Sequence, residues 1–255
     1  MTASRTDGAA SDPDGRSGNF VPETRVTAMF DAIAPVYDRM NTLMTAGMDG
    51  SWRRKAVKAA AIRPGGSAVD VACGTGKLTF DLAKVAGASG RVVGIDLAAA
   101  MLAEARRVWG DCPGIEFVQG NALALPLPDD EFDAATIAFG MRNLQNYEAG
   151  FAEMARVVRP GGRVVCLELS TPRPRWFGRM YLGTFRLFAP ALGTLFRRRD
   201  AYEYLPHSLD GFPDPRQIAA TMRRAGLVNV GFKRLALGAV ALHVGTVPGE
   251  GPRGI

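Results

Sequence analysis

The segment Val69–Gly76, with the sequence VDVACGTG, constrains the fold of this 255-residue chain more than any other feature. A short apolar strand runs into a loop of small residues and then into Lys77–Ala83, which has the composition of a helix start. Gly74 and Gly76 let the backbone approach a ligand without a Cβ in the way, and the first helical turn presents N–H groups that lack partners within the helix. We therefore expect a strand, a tight turn and a helix that together bind a nucleotide-containing ligand.

A second apolar strand, residues 92–95, ends in Asp96. A carboxylate at this position can accept hydrogen bonds from both hydroxyls of a ribose. The two glycines alone are weak evidence, because many α/β proteins place such a pair after a strand. A dinucleotide-binding loop favours a small residue for close helix packing where this chain has Thr79. The pattern favours S-adenosylmethionine over NAD and leaves both open.

Strand and helix patterns alternate along the rest of the chain. Apolar segments predict strands at about 67–72, 91–95, 115–118, 132–138 and 163–169, with helices at about 77–86, 98–108 and 147–158 between them. We expect the Pro-Gly-Gly sequences at 64–66 and 160–162 to end helices and turn the chain before the first and fifth strands. A helix at about 214–225 and strands at about 228–235 and 237–246 follow.

The turn near Leu237 and Gly238 is too short for a parallel crossover, so the last two strands must be antiparallel. We predict an α/β fold with a doubly wound sheet of five parallel strands and a terminal antiparallel hairpin. This seven-stranded arrangement is typical of class I, Rossmann-like methyltransferases and distinguishes them from dehydrogenases.

Composition predicts one domain at residues 23–247, since 47% of the residues are hydrophobic and 22% are charged. Within it we expect amino-terminal helices at 23–63 and a basic, aromatic lid insert at 170–212. Residues 1–22 and 248–255 are predicted to be flexible tails, the first because it contains no apolar run. The three cysteines match no disulfide or metal-ligand spacing and there is no secretory signal, so we expect a cytoplasmic protein without a metal site.

The predicted insert carries most of the positive charge. Between Leu169 and Arg199 there are seven arginines and no acid, whereas the net charge of the whole chain is only +6. Large apolar side chains lie between the arginines, but the apolar run Leu187–Phe196 is too short to span a bilayer. We expect this segment to make peripheral contact with an anionic membrane. The alternative, that it is an ordinary solvated helix face over a core, remains open. We expect no nucleic-acid binding, because nothing else in the chain resembles a nucleic-acid module.

Ligands of such sheets bind at the carboxyl ends of the strands, where this sequence places a set of polar and small residues. Four groups follow the first four strands: Asp70, Gly74, Thr75 and Gly76; Asp96 and Leu97; Asn121 and Ala122; and Ala138–Asn143. We expect the Asn121 amide to pair with an adenine edge and Ala122 to leave room for the ring, with Leu97 and Met101 on its faces. Alternatively, Asn121 caps its own loop.

Several longer segments resemble the UbiE/MenG family of quinone-biosynthesis C-methyltransferases over residues 24–246. They are MFDAIAPVYDRMN (29–41), the CGTG loop, NALALPLPDDEFDAATIAFGMRN (121–143), RVVRPGGRVVCLE (156–168), DAYEYLP (200–206) and GAVALHVG (238–245). The resemblance implies transfer of a methyl group from S-adenosylmethionine to a ring carbon of a demethylated prenyl quinol. It favours demethylmenaquinol over the benzoquinol of the ubiquinone branch.

The resemblance implies cofactor contacts at Thr75, Asp96, Asn121 and Ala122. Relatives often have Ser where this chain has Ala138, so only backbone contact is expected there. Neither His207 nor His243 is expected to be catalytic.

The chemistry of ring methylation adds three candidate catalytic residues. A ring carbon attacks a methyl sulfonium only when an adjacent phenol is ionised or hydrogen-bonded toward ionisation. We expect Arg142 to supply the cation, with Tyr37, Asn143 and a water relaying the proton, and the resemblance indicates the same three residues. Alternatively, Tyr37 covers the core and Arg142 pairs with Asp38 as a structural bridge. Two other classes of protein stay open, an NAD-dependent oxidoreductase and a non-enzymatic membrane adaptor.

Overall fold

The computed structural model of the chain describes residues 22–170, 172 and 212–249. Seven strands form one sheet: β1 (Ser67–Val71), β2 (Arg91–Asp96), β3 (Ile115–Gln119), β4 (Phe132–Ala138), β5 (Val158–Leu169), β6 (Val228–Leu235) and β7 (Val240–Thr246). Their order is β3-β2-β1-β4-β5-β7-β6, with β1 to β5 parallel and β7 antiparallel to both β5 and β6. The predicted fold class is confirmed.

Six helices surround this sheet in the described part of the chain. They are α1 (Glu23–Met44), α2 (Asp49–Ala60), α3 (Lys77–Ala86), α4 (Ala99–Trp109), α5 (Tyr147–Arg156) and α6 (Pro215–Arg224). Single 3₁₀ turns lie at Met141–Asn143 and Ala236–Gly238. The predicted helices and most of the predicted strands agree with these bounds to within three residues. The predicted tails and nearly all of the predicted insert, with His207, lie outside the described residues.

Both faces of the sheet are buried under helices. Successive side chains of each strand point to opposite faces, so each strand contributes to the core on both sides. In β5, Val164 and Cys166 pack into a cluster with side chains of α5 and α6. Val165 and Leu167 pack into a second cluster with side chains of α2 and α3. The apolar runs that predicted the strands are therefore explained by helices on both faces.

The prediction for the start of the fifth strand was wrong. Strand β5 begins at Val158, which pairs with Phe132, and the register then shifts before Arg163 pairs with Ala134. The N–H of Gly161 donates to the carbonyl of Val247, and the Val247 N–H donates to the carbonyl of Gly162. The Pro-Gly-Gly sequence is thus an irregular part of the strand, and α5 ends at Arg156.

The crossovers place the loops that follow β1 to β4 side by side along the carboxyl edge of the sheet. Helix α1 lies against α4 and reaches this edge. No helix within the described ranges is long and apolar enough to cross a bilayer.

Candidate functional site

A cavity opens at the carboxyl ends of β1 to β4, with an empty volume of about 750 Å³ that includes part of its open mouth. Eight of the predicted site residues line it: Tyr37, Gly74, Asp96, Leu97, Asn121, Ala122, Ala138 and Asn143. Met101 lines it as well, as expected for an apolar contact.

The two glycines of the loop after β1 have different roles. Gly74, at φ +56°, lines the cavity, and a Cβ there would lie 3.8 Å from the ring of Tyr37. Gly76, at φ +79°, does not line it, and a Cβ there would lie 2.8 Å from the ring of Phe117 and 3.0 Å from that of Trp109. The expected close approach of backbone to ligand therefore applies to Gly74, whereas Gly76 is needed for packing.

Two predicted cofactor-binding side chains support the loop instead of lining the cavity. Asp70 is 1% exposed and accepts hydrogen bonds from the hydroxyls of Thr79 (2.8 Å) and Thr136 (2.9 Å). Burial raises the pKa of Asp70 from its ordinary 3.8 to about 7, although these hydrogen bonds act in the opposite direction. The Thr75 hydroxyl donates to Asp38 at 2.7 Å. The side chains of Asp70 and Thr75 therefore hold the loop and its neighbouring elements in place through hydrogen bonds, and a cofactor contact at either residue stays a prediction.

Asp96 is placed as expected, at the end of β2 and facing the cavity. One carboxylate oxygen accepts the N–H of Gly74 at 2.8 Å, and the other accepts the N–H of Ala98 at 2.9 Å. Burial raises the pKa of Asp96, and these backbone N–H groups counteract the effect. Each carboxylate oxygen has a second lone pair. The group is therefore held rigidly and retains the capacity to accept a diol.

Asn121 makes the loop-capping contact that the sequence left open, and its pairing with adenine stays a prediction. Its side-chain oxygen accepts the N–H of Leu123 at 2.9 Å, which is the loop-capping contact. Its side-chain nitrogen faces the carboxylate of Glu23, with the shorter distance 3.2 Å. The Asn121 side chain thus caps its own loop and presents its amide nitrogen at the cavity.

Helix α1 supplies one wall of the cavity, which the sequence argument missed except at Tyr37. Glu23, Val26, Thr27 and Phe30 line it from the first two turns. Their spacing of i, i+3, i+4 and i+7 marks one helical face, and this periodicity was the available signal. Asp31 secures the helix by accepting the N–H of Ala100 at 2.8 Å.

Arg142 lies beside the cavity in a buried ion pair with Glu168. The Arg142 Nη1 to Glu168 Oε1 distance is 2.7 Å, with 5% and 1% of the two side chains exposed. The backbone N–H of Arg142 donates to the same carboxylate at 3.1 Å, and its guanidinium also donates to the carbonyl of Phe139. The alternative of a bridge to Asp38 was wrong, because Asp38 contacts Thr75 and, at 3.3 Å, Lys77.

The other two candidate catalytic residues, Tyr37 and Asn143, face the cavity. Burial raises the pKa of Tyr37 above its ordinary 10.0, and the positive charge of Arg142 opposes this shift. Tyr37 therefore enters the site as a neutral phenol. Glu168, which sequence reasoning missed, is the acid in the LEL segment that ends β5.

His243 lies within β7, away from the cavity, and is 1% exposed. Its Nε2 is 3.0 Å from the carbonyl oxygen of Pro215, and burial lowers its pKa from 6.5 to about 4. It is a neutral histidine of the core. No group of three or more His, Cys, Asp or Glu side chains is arranged to hold a metal ion within residues 22–170, 172 and 212–249.

Solved structures show which known fold this chain adopts. An S-adenosylmethionine-dependent methyltransferase from Thermotoga maritima, described as a possible histamine N-methyltransferase, superposes with a TM-score of 0.60 at 20% identity, covering 86% of this chain and 98% of that one. The complex between the Haloferax volcanii Trm112 methyltransferase activator and a methyltransferase gives a TM-score of 0.63 at 18% identity, covering 86% and 97%. The fold of this chain is that of class I, S-adenosylmethionine-dependent methyltransferases.

Sequence relatives identify the family. The profile of the ubiE/COQ5 methyltransferase family matches residues 19–247. A demethylmenaquinone methyltransferase of Bacillus licheniformis is 40% identical over 88% of this chain and 97% of its own length. One of Staphylococcus saprophyticus is 36% identical over 89% and 98%. The chain belongs to the ubiE/COQ5 methyltransferase family, which confirms the resemblance and sets aside the oxidoreductase and adaptor alternatives.

Proposed function

We propose that this enzyme methylates a ring carbon of demethylmenaquinol. The observation that carries the proposal is the 36–40% identity to demethylmenaquinone methyltransferases over nearly their whole length. The cavity fits the cofactor, because the half-buried Asp96 carboxylate retains acceptor capacity beside the backbone of Gly74, and both residues line the cavity. When bound, S-adenosylmethionine supplies an electrophilic methyl group.

The residues that hold the cofactor follow the order of the strands. Asn121 and Ala122 after β3 suit an adenine, and Asp96 after β2 suits a ribose diol. Gly74 after β1 suits close contact with the backbone, and Ala138 after β4 lies toward the acceptor. Adjacent strands are about 4.8 Å apart, so four strand ends span about 14 Å, which matches an extended ligand.

The residues after β4 and the middle of α1 act on the acceptor. The neutral Tyr37 hydroxyl and the Asn143 amide hydrogen-bond the ring hydroxyl and orient it, and a water relays its proton to bulk solvent, which makes the ring carbon nucleophilic. Arg142 acts in two ways. Its contacts with Glu168, which balances its charge, hold the Phe139–Asn143 segment in position, and its guanidinium places a positive charge near Tyr37. Its field lowers the cost of negative charge near Tyr37.

The test is methyl transfer from tritium-labelled S-adenosylmethionine to short-tailed demethylnaphthoquinol and benzoquinol analogues. We expect label in the naphthoquinol, and label in the benzoquinol alone would contradict the assignment. Arg142→Lys should lower turnover and leave cofactor affinity nearly intact, because a point charge does not replace a planar fork. A loss confined to cofactor affinity would contradict this role.

We also infer that the protein is cytoplasmic and contacts the membrane face through residues 170–212. The support is the sequence, in which seven arginines are uncompensated by acids between Leu169 and Arg199. Each contributes about 1 kcal/mol near an anionic surface at low salt. Changing Arg197–Arg199 to Gln should reduce sedimentation with anionic vesicles and slow turnover of a long-tailed substrate only. Equal loss with a short-tailed analogue would contradict the inference.

A further inference from the structure

The side-chain amide of Asn121 has a defined orientation. Its oxygen is held by the N–H of Leu123 at 2.9 Å, so the nitrogen must point the other way. One of its two hydrogens faces the Glu23 carboxylate, and an amide nitrogen carries a second. The side chain therefore presents a donor, and not an acceptor, at this end of the cavity.

Glu23 places an acceptor directly beside that donor. Its carboxylate lies 3.2 Å from the Asn121 nitrogen, and both residues line the cavity. A carboxylate offers about four lone-pair sites. The contact with the Asn121 nitrogen leaves some of these sites free to accept a hydrogen bond from a ligand. Thr27, one turn further along α1, donates its hydroxyl to the Glu23 backbone carbonyl and leaves the carboxylate to the cavity.

Apolar side chains flank this donor and acceptor. Val26 and Phe30 lie on the same face of α1 as Glu23, and Leu97 and Ala122 also line the cavity. A flat aromatic heterocycle packed among these apolar side chains would present its edge to Asn121 and Glu23. The donor beside an acceptor is complementary to an edge with one acceptor nitrogen and one adjacent amino group.

We propose that Glu23 is a specificity-determining residue that reads the exocyclic amino group of adenine. The assignment rests on the S-adenosylmethionine site described above. Asn121 donates to the N1 nitrogen of adenine, and the Glu23 carboxylate accepts a hydrogen from the 6-amino group. A hypoxanthine ring, with a carbonyl at position 6 and a hydrogen on N1, reverses both groups and meets two mismatches.

The test is calorimetric binding of S-adenosylhomocysteine and S-inosylhomocysteine to the wild-type protein, Glu23→Gln and Glu23→Ala. The matched control is Glu104→Gln, at a carboxylate on the outer face of α4 that pairs with Arg107. In Glu23→Gln the adenosyl ligand should bind about tenfold more weakly, the loss typical of a charge-assisted hydrogen bond. The inosyl ligand should bind equally well or better, because the new amide can donate to its carbonyl.

The ratio of the two dissociation constants decides the proposal. The proposal is supported if the dissociation constant of the inosyl ligand divided by that of the adenosyl ligand falls at least tenfold in Glu23→Gln. The same ratio should fall less in Glu23→Ala and stay unchanged in Glu104→Gln. An unchanged ratio in Glu23→Gln overturns it, even if both ligands bind more weakly, because α1 would then only cover the site. If the wild-type protein binds neither ligand, the cofactor site itself is wrong and the proposal is overturned with it. Thermal unfolding of each variant shows that it is folded during the measurement.

Discussion

The buried pair of Arg142 and Glu168 allows a quantitative prediction about stability. At the observed 2.7 Å and an effective dielectric constant of about 20, the attraction is roughly 6 kcal/mol. Desolvation of two buried ions costs several kcal/mol each, so the intact pair adds little net stability. Removing one partner leaves the other charge buried and uncompensated, which costs about 3–5 kcal/mol.

Glu168→Gln is the sharpest perturbation, since it preserves the shape of the side chain while it removes the charge and one acceptor oxygen. The carboxylate accepts from the guanidinium and backbone N–H of Arg142 and from the N–H of Leu169 at 2.8 Å. Glutamine retains one acceptor oxygen and turns an amide donor toward one of these donors. We expect the free energy of unfolding to fall by about 3–5 kcal/mol and the melting temperature to fall by roughly 10 °C.

The measurement is urea unfolding of Glu168→Gln, Arg142→Met and the double variant, with Glu104→Gln, at the half-buried carboxylate that pairs with Arg107, as the control. The double variant should be more stable than the sum of the single losses predicts, by at least about 2 kcal/mol, because neither charge is then stranded. The control should leave the urea midpoint nearly unchanged. Small and additive losses in both single variants would refute the reasoning and indicate that water reaches the pair.

Three further outcomes follow from the described contacts. Asp96→Ala should lower affinity for S-adenosylhomocysteine by about 2–3 kcal/mol, because a bidentate charge-assisted contact is lost, and an unchanged dissociation constant would contradict the ribose assignment. Gly76→Val should lower the melting temperature, since the new Cβ meets the ring of Phe117 and the residue has a positive φ. An unchanged melting temperature with loss of ligand binding would instead support close contact between the Gly76 backbone and the ligand. His243 has a pKa of about 4 in the fold and 6.5 when unfolded, so its contribution is complete above pH 6.5 and falls as the pH drops toward 4. His243→Gln should therefore lose less stability than the wild type between pH 7 and pH 5. Asp70, whose raised pKa has the opposite effect on stability, contributes equally to both proteins and cancels in the comparison. Parallel stability profiles of the two proteins against pH would exclude this contribution of His243.

The sequence by itself determined the elements and the edge of the sheet that carries the site. Apolar periodicity and Gly or Pro punctuation act over a few residues, so they located β1 to β4, the terminal hairpin and the strand ends that carry Asp96 and Asn121. The motif at 121–143 indicated the family for the same reason, because its residues are contiguous. These features need no knowledge of how distant segments pack.

The tertiary structure alone decided which side chains meet. Glu23 contacts Asn121 across 98 positions, and Glu168 contacts Arg142 across 26, and no local pattern encodes either pairing. Packing also separated Gly74, which faces the cavity, from Gly76, which faces Phe117, although both glycines look alike in the sequence. The physical reason is that burial and hydrogen-bond partners depend on how helices and strands are stacked, and one sheet edge brings together residues that the chain keeps far apart.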